Sequence, residues 1–109
     1  MRGRVCNVFV EHKVVSGKLL KISVVFDISS GEIKELKIFG DFFMYPEDAL
    51  EEMENLLVGT KPEYDTIIEK IRKVINEKDV VMIGISEEDI AHTLLRAFSI
   101  FREKYQRAF

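Results

Sequence analysis

The stretch "LLKISVVFDI" constrains the fold more than any other part of the chain. Leu20, Ile22, Val24, Phe26 and Ile28 fall at every second position, and Lys21, Ser23 and Asp27 lie between them. Side chains on a strand alternate between two faces, so this period of two predicts a strand with one buried face. Turn signals flank it: "SGK" at residues 16–18 and "SSGE" at residues 29–32. Before the first turn, Val8, Val10, His12 and Val14 share one side and Asn7, Phe9, Glu11 and Lys13 the other. After the second turn, Leu36 and Ile38 share a face. Ile33 has the opposite parity and is expected at a β-bulge or as the first residue of its strand. Turns this short force antiparallel neighbours, which predicts a three-stranded meander.

The period then changes to that of a helix. Ala49, Leu50, Met53, Leu56 and Leu57 form one stripe, with Glu47, Asp48, Glu51, Glu52 and Glu54 read as its polar side. Pro46 suits a first helical turn and Gly59 a helix stop. Thr60 and Glu63 have the spacing of a capping box for a second helix, whose apolar face is Tyr64, Ile67, Ile68, Ile71, Val74 and Ile75. "VVMIGI" at residues 80–85 is too short to distinguish a strand from a buried loop. Ser86 and Asp89 have the spacing of a capping box that opens a third helix, with Ile90, Ala91, Leu94, Leu95, Phe98, Phe101 and Tyr105 on its face. Three strands followed by about three helices predict an α+β fold with the helices on one face of the sheet.

The 109 residues suit a single domain spanning 1–109. A net charge of −3 gives no nucleic-acid footprint. The longest apolar run is far too short for a membrane span. One cysteine excludes an internal disulfide, and no targeting signal is visible, so the expected location is the cytoplasm.

Catalytic signatures are lacking. The glycines are scattered singly and form no phosphate loop. His12 and His92 stand far apart without companion ligands. His12 is expected to be partly buried, and His92 to be solvated near Glu88. Cys6 has no evident base and reads as a buried structural thiol. The acidic run at 47–54 lacks the loop of a calcium site and reads as a solvated face able to meet a basic partner. The corner Gly40, Asp41, Phe42, Phe43 with Tyr45 carries more aromatic surface than a turn needs. Asp41 is a candidate cap for the turn, one ring is expected in the core and the other at a partner surface.

At this corner the chain resembles a known family. "GKLLKISVVFDISSGEIKELKIFGDFF" is similar to the small C-terminal accessory domain of lipoate–protein ligases. The similarity continues through "ALEEMENLLVGTKPEYDTIIEKI" and "GISEEDIAHTLLRAF", and so covers residues 17–98. In this family the large domain binds lipoate and ATP, forms lipoyl-adenylate and transfers the lipoyl group to a lysine of an acceptor protein. Its arginine- and glycine-rich lipoate loop and essential lysine have no counterpart here. With Met1 just ahead of the accessory region, the chain resembles the separate accessory subunit of split, archaeal-type ligases. The resemblance implies a non-catalytic subunit needed with its catalytic partner for activation of lipoate to lipoyl-AMP. No cofactor is then expected on this chain, and ATP, Mg and lipoate are expected in the catalytic partner. Lipoyl-acceptor proteins are met only indirectly. The chain alone, with its interface uncovered, is a candidate homodimer. The alternative is an interaction module or iron–sulfur assembly adaptor of the same fold, since the domain distantly resembles the iron–sulfur scaffold and sulfur-acceptor fold. There a Phe-Gly-Cys ends the strand; here Phe39, Gly40 and Asp41 take its place and Cys6 is the sole thiol.

Overall fold

The computed structural model describes residues 3–105. The alternating stretch is the central strand of a three-stranded antiparallel sheet, ordered β1 (Val5–Lys13), β2 (Leu19–Asp27), β3 (Ile33–Gly40). Leu20, Ile22, Val24 and Phe26 are fully buried, and the positions between them are half-buried. The Ile33 anomaly is a bulge. Val25 pairs with Glu35 but Phe26 pairs with Ile33, so Lys34 is the extra residue. That one insertion turns Ile33 onto the buried face beside Leu36 and Ile38. The preceding turn is held by Asp27, whose Oδ1 accepts from the backbone N–H groups of Ser29 (2.8 Å) and Ser30 (3.1 Å).

Three helices, α1 (Ala49–Leu57), α2 (Tyr64–Lys78) and α3 (Glu87–Tyr105), close the core. Phe26 stacks on Phe101 with ring centroids 4.8 Å apart and leans on Phe98 at 5.7 Å. Ser86 and Asp89 do form a capping box: the Ser86 hydroxyl accepts from the Asp89 N–H (3.2 Å), and Asp89 Oδ2 accepts from the Ser86 N–H (2.9 Å). The box expected at Thr60 and Glu63 does not form. The Thr60 hydroxyl instead donates to the Leu57 carbonyl at 2.7 Å, and α2 begins at Tyr64 with Glu63 at its N-cap. Pro46 likewise precedes the helix: α1 starts at Ala49, and the Tyr45–Pro46 peptide is cis.

Glu54 corrects the sequence reading of α1. It was grouped with the polar residues, yet it is buried, and its Oε2 accepts from the Ile38 N–H at 2.7 Å. Its partner is the outer edge of β3, which adds no further strand. The same edge is closed at its other end, where Gly59 N–H donates to the Ile33 carbonyl (2.7 Å) and Ile33 N–H to the Thr60 carbonyl (2.9 Å). The α1–α2 connection therefore stands in for a fourth strand and prevents edge-to-edge pairing there. Burial pushes the Glu54 carboxyl above its ordinary value, with the Ile38 N–H and the Lys37 charge opposing the shift.

Residues 80–85 resolve as a short strand, β5 (Val81–Ile83), which pairs antiparallel with β4 (Phe43–Tyr45) to make a separate two-stranded ribbon.

Candidate functional site

The corner begins where β3 must leave its neighbour. Gly40 lies opposite Leu20 with φ of +145°, and a Cβ there would overlap the Leu19 carbonyl oxygen. Only glycine permits both the angle and the approach. The next N–H, that of Asp41, donates to the same Leu19 carbonyl at 2.9 Å. The Asp41 side chain is exposed, and among the described residues it has no hydrogen bond or ion pair. It does not cap the turn, contrary to the expectation from sequence.

The rings diverge as successive positions on a strand must. Phe42 is half-buried and packs on the core. Phe43 is 61% exposed, Met44 is buried, and Tyr45 is again exposed. The partner strand repeats the pattern: Met82 faces Met44 on the inner side, while Val81 and Ile83 lie opposite Tyr45 and Phe43 on the outer side. Gly84, with φ of +99°, ends β5 where a side chain would press against Phe42. Val81 and Ile83 were not among the sequence candidates. Their alternation with Met82 was the available signal, but three residues are too few to carry it.

An open groove of about 400 Å³ runs from Ile38 and Phe39 to Tyr45, Glu47 and Leu50. Part of the acidic run beyond it is engaged. Lys78, at the end of α2, contacts Asp48 and Glu52, each at 3.3 Å. The hydrogen bond to Asp48, and then that to Glu52, holds its ammonium above the ordinary lysine value. Away from the corner, His12 is half-buried with Nε2 3.9 Å from Asp89, and His92 lies against the Tyr64 ring rather than pairing with Glu88. Cys6 is buried. Among the described residues no group of three or more His, Cys, Asp or Glu is placed to hold a metal ion, and no helix is long and apolar enough to cross a membrane.

A family model described as the C-terminus of bacterial lipoate protein ligase matches residues 7–94, from β1 into α3. The chain belongs to this family. Among curated proteins it is similar to subunit 2 of lipoate-protein ligase A from Thermoplasma acidophilum, 36% identical over 76 residues, which cover 67% of this chain and 74% of the relative. Among solved structures it is similar to a chain from an archaeal lipoylation system, described as a bi-partite lipoate protein ligase and its E2 lipoyl domain from Thermoplasma acidophilum. The two share 26% identity at a TM-score of 0.59, over 89% of this chain and 97% of that one. The α+β architecture is thus that of the lipoate–protein ligase C-terminal family, and the corner and ribbon both lie inside the matched span.

Proposed function

We propose that this chain is the non-catalytic accessory subunit of a split lipoate–protein ligase and is required, with its catalytic partner, for formation of lipoyl-AMP. The observation that carries the reading is the likeness over nearly the whole length of a separate chain from a bi-partite ligase, joined to the family match. ATP, Mg and lipoate are bound by the partner, and acceptor proteins are reached through it, in the cytoplasm. The corner Gly40, Asp41, Phe42, Phe43 and Tyr45 meets the catalytic chain. Such a subunit acts by covering a site, which excludes water and orders loops around a reactive acyl-adenylate.

The test is lipoyl-AMP formation by the catalytic subunit of the same organism, followed as pyrophosphate release, with and without this chain. The expected result is stimulation of at least about tenfold, a difference of about 1.4 kcal/mol in barrier. A catalytic subunit fully active alone, or adenylation of lipoate by this chain unaided, contradicts the proposal. Asp41→Ala is expected to lower the stimulation without loss of fold, because its carboxylate has no described partner within the chain.

A further inference from the structure

The outer face of the β4–β5 ribbon is apolar where a solvated surface would alternate with polar groups. Phe43 stands across from Ile83 and Tyr45 across from Val81, and all four are between 51% and 61% exposed. Phe39, 43% exposed, borders them across the groove. Together these five side chains offer roughly 500 Å² of largely apolar surface, near the size of the largest such patch on an ordinary monomer and more than half of one side of a standard interface. Met44 and Met82 pin the ribbon's inner side to the core, and aromatic and β-branched residues have few rotamers to lose on docking.

Charge marks one end of the ribbon. Next to Tyr45 and Val81 in sequence lie Glu47, Asp48 and Asp79, and Lys78 ties Glu52 to the same end. Lys78 is already engaged by Asp48 and Glu52. Glu47 and Asp79 are exposed, and among the described residues neither has an ion pair. A second copy packed with like ends together would set carboxylate against carboxylate there.

We infer that the ribbon face formed by Phe43, Tyr45, Val81 and Ile83 docks a surface of the catalytic subunit that is apolar at its centre and carries Lys or Arg opposite Glu47 and Asp79. This rests on the accessory-subunit reading and extends it: the interface lies on both strands, so β5 contributes as much as the corner. The apolar centre supplies most of the affinity, and the charged end supplies orientation and association rate.

Isothermal titration of the catalytic subunit with wild type, Val81→Asp, Ile83→Thr and the double variant Glu47→Lys/Asp79→Lys tests it, with circular dichroism melts to confirm folding. Ile83→Thr keeps a β-branched side chain and so preserves the strand. Val81→Asp is expected to weaken binding at least about thirtyfold and Ile83→Thr several-fold. The charge reversal is expected to weaken it about tenfold at low salt and to flatten the salt dependence of Kd. Wild-type binding matched within twofold by all folded variants overturns the inference while leaving the accessory role standing. A wild type that does not bind the catalytic subunit overturns both. A wild-type dimer in light scattering that Val81→Asp dissolves, and that persists with the catalytic subunit bound, assigns the face to a second copy and likewise overturns it.

Discussion

The chain uses the same residue types in two opposite ways. On β2, Leu20, Ile22, Val24 and Phe26 have no exposed surface at all. On the β4–β5 ribbon, Phe43, Tyr45, Val81 and Ile83 are each more than half exposed. Both are apolar rows at a period of two. The difference is what covers them. The sheet lies under α1 and α3, with α2 packed against both helices, and the ribbon's outer face lies under nothing belonging to this chain among the described residues. An apolar row under helices stabilises the fold; one left open is available to a partner. Substitutions on the two regions should therefore separate stability from binding.

The largest effect on folding is expected at the buried row. Phe26→Ala removes a ring packed against Phe98 and Phe101 and should cost about 3–5 kcal/mol in urea unfolding. Next is Glu54→Ala, which orphans the buried Ile38 N–H and should cost about 1–3 kcal/mol. Glu54→Gln keeps a carbonyl acceptor and discards the charge. Because the folded carboxyl sits above its ordinary value of 4.5, Glu54 contributes stability that is present below that value. This contribution is lost as pH rises through the folded value. Denaturation across pH 4 to 7 should therefore show the Gln variant gaining on wild type as pH rises. A Gln variant that loses ground to wild type as pH rises would contradict the sign. Ser86→Ala, which removes the cap of α3, should cost about 1 kcal/mol.

These cases also show what the sequence reveals and what it hides. The Leu20–Phe26 alternation named the central strand, and the parity of Ile33 marked a bulge or a strand entry, because both follow from the period of the pleat; Ile33 opens β3 beside the bulge. The Ser86–Asp89 box was legible because its bonds are local. Glu54 was not: a carboxylate reads as polar even with Leu50, Leu57 and Val58 as helical neighbours, and its burial is set by an edge N–H sixteen residues away. The Thr60–Glu63 pattern was misleading because Thr60 has a nearer partner in the last turn of α1. The corner was visible as an excess of aromatic residues at a glycine. The other half of the ribbon, Val81 and Ile83, depended on a strand pairing between residues nearly forty positions apart, which periodicity over three residues cannot announce.

The smallest expected effect on stability, and the sharpest contrast with Phe26, lies at Phe43. One variant measured in two ways tests the central claim most directly. Phe43→Ala should melt with wild-type stability to within about 0.5 kcal/mol, since its ring packs against little of its own chain. In the same preparation, its stimulation of lipoyl-AMP formation by the catalytic subunit should fall at least about tenfold at subsaturating concentration, a loss of about 1.4 kcal/mol. Full stimulation by a folded Phe43→Ala would contradict the account.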